Sequence, residues 1–122
     1  MLARAANAYR RADLESAPKT QIVERLFDRF LADLVTARGA IAARDVKQKA
    51  TALDHALEIV IELKASLDFA AAPELCANLA ALYDFVTERV VSASLTLTPA
   101  PLDQATRVMS ELGEAFRGAH AR

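Results

Sequence analysis

Glycine and proline are scarce in this chain of 122 residues, three and four of them respectively, which leaves long helices little to interrupt them. A single cysteine rules out a disulfide within the chain. Together with only two histidines, it provides no spacing of the kind that ligates a metal. No metal and no other cofactor are expected. Lysine and arginine number 15 against 16 acidic residues, a net charge of −1, so charge balance gives no argument for nucleic acid or an anionic membrane as partner. No uncharged apolar run reaches the ~18 residues of a membrane span. Met1 to Asn7 carries no long apolar core of the signal-peptide kind. The expected location is the cytoplasm.

What the chain has is apolar and helix-forming residues. Hydrophobic residues make up 53% and charged residues 25%, and the length suits one domain with one core. The stretch Ser66 to Phe85 organises the reading. Ser66-Leu67-Asp68 closes one helix, three alanines turn the chain, and Pro73-Glu74 opens another, proline at the first position and an acid at the positive helix start. The new helix, running to about Ser94, carries Leu75, Leu79, Leu82, Tyr83 and Val86 on one face, with Phe85 pointing away from it.

Towards the N-terminus, Leu2, Ala5, Ala6 and Tyr9 recur at i, i+3, i+4 and i+7, a short amphipathic helix too short to be stable alone in water. Asp13 to Thr20 reads as a linker. Helix 1 is expected from about Lys19 to Ala43, its apolar residues in pairs: Ile22-Val23, Leu26-Phe27, Phe30-Leu31 and Leu34-Val35. They spread over about 220° at ~100° per residue, more than the ~100° stripe that faces one core. Asp45 is the expected N-cap of helix 2, which extends to Leu67 and whose apolar residues cover about 200°. Leu95 to Pro101, with two prolines, reads as a connection. Helix 4, from about Leu102 to Ala119, places Leu102, Ala105, Met109, Leu112, Phe116 and Ala119 within ~120°. Four long helices with short connections imply an all-α fold, an antiparallel up-and-down four-helix bundle with the short N-terminal helix appended.

Helix 4 thus has just the apolar surface a bundle needs, while helices 1 and 2 have a surplus. Ordinary core and seam packing accounts for single residues of this kind. The paired residues on helix 1, the triplet Ile59-Val60-Ile61 and the off-stripe Phe85 together suggest one contiguous patch, which marks an interaction site and suits an amphipathic partner helix. A homodimer or an adaptor would use the same face. Leu2 to Tyr9 is a candidate for a displaceable cap on that groove, its burial offset by the entropy of ordering it.

An enzyme finds little support. His55 on helix 2 raises the possibility of histidine phosphotransfer, but Glu58 would repel the phosphate and Ile59 would block access, so His55 reads as a solvated surface residue. Cys76 reads as a small buried hydrophobe. Glu24, Arg25, Asp28, Arg29 and Asp33 alternate in sign and read as a solvated face. No glycine-rich phosphate loop or activated nucleophile is visible.

In order and spacing, these residues resemble the flagellar secretion chaperone family, FliS, over nearly the whole chain. The pieces are Ala8-Tyr9, Gln21-Ile22-Val23 with Leu26-Phe27-Asp28, Ser66-Leu67-Asp68, and Asn78-Leu79 with Leu82-Tyr83-Asp84-Phe85. Pro18-Lys19 stands where the family usually has Ser-Pro, and Lys64 and Phe116 match two further positions loosely. The resemblance implies a non-enzymatic cytoplasmic export chaperone. It would bind the C-terminal segment of flagellin as separate helical pieces, prevent premature polymerisation and assist delivery to a component of the export gate. It would be a monomer or weak homodimer, with the N-terminal segment covering part of the surface when free. The expected partner-binding residues are Tyr9 in the cap, and Phe27, Ile59, Leu63, Leu79, Leu82, Tyr83 and Phe85 around the groove. Ile59→Asp or Phe85→Asp is expected to leave the bundle folded and abolish flagellin binding.

Overall fold

A computed structural model describes residues 17–96 and 98–120. They form four helices, α1 (Ala17–Ala43), α2 (Val46–Ala65), α3 (Pro73–Leu95) and α4 (Ala100–His120). The expected N-terminal helix and Tyr9 lie outside the described residues. Each helix packs on two others, in the ring α1–α2–α3–α4–α1, and the diagonal pairs do not approach. Ion pairs fix the directions. Asp28 near the start of α1 meets Arg117 near the end of α4, and Arg38 late in α1 meets Asp103 early in α4. The fold is an all-α antiparallel four-helix bundle, as the periodicity requires.

The core is built from regular alternation. Cys76, Leu79, Tyr83, Val86, Val90 and Ala93 on α3, and Leu102, Ala105, Met109, Leu112 and Phe116 on α4, step by three and four residues and are all buried. This spacing keeps one seam facing the neighbours in a bundle of nearly antiparallel helices. Val23, Phe27, Phe30, Leu34 and Ala37 do the same on α1. Phe27 and Phe116 stack across the centre with ring centroids 6.2 Å apart and planes at 41°, a tilted geometry favoured by the ring quadrupoles. Gly113 sits against this pair: a Cβ at that position would lie 3.4 Å from the Phe27 side chain, in van der Waals contact with it.

The connections follow local chemistry. α1 ends with Arg44 in the left-handed region at φ 57°. The Asp45 amide donates to the Ala40 carbonyl at 2.9 Å and the Arg44 amide to that of Ile41 at 3.1 Å, a Schellman ending of the helix. Asp45 then caps α2, its side chain accepting from the Gln48 amide at 3.0 Å. Between α2 and α3 the Asp68 carboxylate accepts from the amides of Ala70 and Ala71, and Pro73 opens α3. Several helix ends differ from expectation: α1 starts at Ala17, within the stretch expected as a linker, and α3 and α4 each run one residue further, to Leu95 and His120. α2 stops at Ala65, two residues early, and α4 starts at Ala100 because Pro101 sits within its first turn, where no amide partner is required.

Lys49 was not foreseen as a core residue. Its side chain is buried at 7% exposure and its Nζ donates to the carbonyls of Ser94 at 3.2 Å and Thr96 at 3.5 Å. Those oxygens form the negative end of α3, so the ammonium is held by the carbonyls the helix leaves without partners.

Candidate functional site

The apolar pairs of α1 divide between core and surface. Val23 and Phe27 are buried, whereas Ile22 is 52% exposed and Leu26 partly so. Ile22 and Leu26 face α2. There Ile22, Leu26 and Ile59 line a concavity of about 320 Å³ that also touches Arg25, Arg29, His55, Glu58 and Glu62. A second concavity of about 470 Å³ continues past Lys19 towards Ser66, Leu67 and Asp68, and shares Ile22, Leu26 and Glu62 with the first. The two form one groove along the α1–α2 seam. Its α1 wall runs from Lys19 to Arg29, ten residue steps and so ~15 Å at 1.5 Å per residue.

The floor is apolar and the rims are charged with opposite signs. Lys19, Arg25 and Arg29 stand on α1, and Glu58 and Glu62 on α2. None of Arg25, Glu58 and Glu62 forms an ion pair with a described residue. Beyond Arg29 the seam closes. His55 Nδ1 meets the Asp33 carboxylate, and His55 Nε2 lies 3.5 Å from Arg29 Nη2. A proton on Nδ1 leaves Nε2 free to accept from the guanidinium. His55 is therefore tied into a bridge between α1 and α2. The solvated, unaccompanied histidine expected from the sequence is corrected by these two contacts.

The other expected site residues lie elsewhere. Phe27, Ile59, Leu63, Leu79 and Tyr83 are buried in the core, and Leu82 is half-buried against it. Only the edge of Ile59 borders the groove. Phe85 is 39% exposed, but on the far side of the bundle. The Arg89 guanidinium lies 6.0 Å from the centre of its ring, and Arg89 Nη1 donates to Gln104 Oε1 on α4 at 3.0 Å. Phe85 thus belongs to the α3–α4 face, and the groove to α1–α2. The single contiguous patch expected from the α1 pairs, Ile59-Val60-Ile61 and Phe85 does not form: Phe85 stands on the α3–α4 face, and the α2 triplet divides because consecutive helical residues turn by ~100° each. Ile59 points to α1, Val60 to the core, and Ile61 stays exposed. Ile22, Leu26 and the rim charges are the groove residues that the sequence reading did not select. Their signal was present, in the apolar pairs and in the sign alternation taken for a solvated face.

Cys76 is fully buried and its thiol donates to the Asp68 carbonyl at 3.3 Å. Burial, and then the nearby Asp68 carboxylate, push its pKa up, so the unreactive protonated thiol is favoured. Among the described residues no cluster of three or more His, Cys, Asp and Glu side chains is placed to hold a metal. Nor is any helix among them long and apolar enough to cross a membrane.

The family model described as "Flagellar protein FliS" matches residues 2–122. The chain is 33% identical over 115 residues to the flagellar secretion chaperone FliS of Salmonella typhimurium, covering 90% of this chain and 85% of that protein. It is 29% identical over 120 residues to the protein of the same name in Escherichia coli, covering 94% and 88%. The likeness to that of Vibrio cholerae is 26% over 105 residues, covering 86% and 77%.

Proposed function

Because this chain belongs to the FliS family of flagellar secretion chaperones, we propose that it binds the C-terminal segment of flagellin in the α1–α2 groove. In doing so it keeps that segment from polymerising before export and assists its delivery to a component of the flagellar export gate. The observation that carries the reading is Ile22, half-exposed beside Leu26 above a floor formed by Ile59. An apolar trough between two helices is the kind of surface into which an amphipathic helix lays its apolar face. Covering the exposed half of such a side chain contributes on the order of 1 kcal/mol. Part of that gain is offset by ordering a client that is disordered when free.

Phe85 and its Arg89 neighbour offer a second contact on the α3–α4 face. A flagellin segment reaching round the bundle as separate helical pieces would touch both faces. The free protein acts in the cytoplasm as a monomer or weak homodimer. Leu2 to Tyr9, with Tyr9 as anchor, acts as a displaceable cap that competes with the client. Hydrogen exchange tests the cap: amides 2–9 should lose protection when flagellin binds, and full protection with and without the client would contradict it. Co-purification with flagellin, lost when flagellin's C-terminal segment is removed, tests the function itself. Sedimentation of the protein alone separates this reading from one in which the same face serves a stable homodimer.

A further inference from the structure

The two rims of the groove carry opposite charge, and they run antiparallel. Arg25 and Arg29 on α1 and Glu58 and Glu62 on α2 line the same concavity from its two sides, and the Arg29–His55 contact marks where the two rims meet. Such rows would neutralise one another if the helices were close. They do not: among the described residues Arg25, Glu58 and Glu62 form no ion pair, and Arg29 reaches only His55. The concavity lies between them, with Ile22, Leu26 and Ile59 along it.

We propose that the groove selects its client by charge polarity, taking an amphipathic helix with acidic residues on the flank beside α1 and basic residues on the flank beside α2. This rests on the reading that the groove takes flagellin's C-terminal segment. It goes further by specifying which helix of that segment fits and which way it runs. The apolar stripe of the occupant meets Ile22 and Leu26. A helix that lies in a trough presents its two flanks to the two walls, so each flank meets one sign of charge. A uniformly acidic helix meets Glu58 and Glu62, and a uniformly basic one meets Arg25 and Arg29. In both cases like charges are brought together at an interface, which is the costly arrangement. Turning a helix end for end exchanges its flanks, so an occupant with one acidic and one basic flank is accepted in only one direction. The groove is not symmetric along its length either. One end is closed by the His55–Asp33 bridge and the other opens past Lys19 and Asp68. Charge polarity and end shape together fix the direction of the bound helix.

The test uses the full chain and the C-terminal segment of flagellin, with affinity measured by calorimetry at low and high salt. Arg25→Glu alone makes both rims acidic at that level, and Glu62→Lys alone makes both basic. All of these side chains are exposed, and an unchanged thermal melt for each variant confirms folding. Each single reversal is expected to weaken binding about tenfold, with most of the loss disappearing at high salt. The exchanged pair, Arg25→Glu with Glu62→Lys, restores the net charge but inverts the polarity, and is expected to remain weak. Restoration of wild-type affinity by the exchanged pair would show that net charge alone is read and would overturn the proposal, as would single reversals without effect. If wild-type protein fails to bind the segment at all, the flagellin reading falls, and the polarity rule falls with it. If wild-type binding is tight and insensitive to these charges, the polarity rule falls alone.

Discussion

The imidazole of His55 on α2 meets the carboxylate of Asp33 on α1 and ties the two helices together where the groove between them ends. With Arg29 Nη2 3.5 Å from its other nitrogen, the ring bridges the two helices. His55→Ala should lower stability by about 0.5–1 kcal/mol, the range of partly exposed pairs, measured by thermal melting. Incubation of the wild-type protein with a small phosphodonor should leave no acid-labile phosphate on His55.

Ile59 and Phe85 behave differently under the same substitution. Ile59 is 4% exposed and packed in the core, so Ile59→Asp puts a carboxylate among apolar side chains and should cost at least 3 kcal/mol, on the order expected for a buried charge without a partner. The expectation that this variant stays comfortably folded does not survive its burial. Phe85→Asp should keep the melting temperature within a few degrees, since the ring already meets solvent. Circular dichroism across a temperature ramp distinguishes the two.

Lys49 holds the carbonyl end of α3. Lys49→Met keeps most of the packing but removes the ammonium from the Ser94 and Thr96 carbonyls. Hydrogen bonds from a charged donor contribute about 1.5–3 kcal/mol, and the variant should lose stability of that order. Urea titration should show a lower midpoint with an unchanged slope.

Arg44 occupies the left-handed region at φ 57°, a conformation that costs a residue bearing a Cβ about 1–2 kcal/mol. Arg44→Gly removes that cost at the end of α1, partly offset by the greater freedom of glycine in the unfolded chain. A net stabilisation of about 0.5–1 kcal/mol is expected, read as a higher melting temperature with unchanged client affinity.

The bundle could be read from the chain because its cause is local. Three-and-four spacing names a helix face, Asp45 and Pro73 name helix starts, and scarce glycine leaves the helices unbroken. The site could be read only in part. The apolar pairs of α1 showed that helix 1 carries surplus surface, but periodicity does not say which neighbour stands beside each edge of the stripe. Ile22 and Val35 are equally surplus in sequence. In three dimensions Ile22 lines the α2 groove while Val35 lines neither concavity of it. Tyr83, Leu79 and Phe27 drew attention as large apolar residues, and large apolar residues are what a core takes first. The charge rows escaped notice because alternating signs on one helix look like a solvated surface. Only the opposite row on α2 gives them a meaning. Lys49 escaped because its partners are backbone carbonyls 45 and 47 residues away.

The central claim is that the α1–α2 groove is where flagellin binds, and Ile22 tests it most directly, because it is half-exposed on the groove wall and outside the core. Binding of flagellin's C-terminal segment to Ile22→Asp should be measured by calorimetry beside the wild type, on protein whose helical signal and melting temperature are unchanged. The expected result is a loss of affinity of about thirtyfold or more, as for an anchor residue at the centre of an interface. Wild-type affinity in a folded Ile22→Asp variant would contradict the account and place the client on another face.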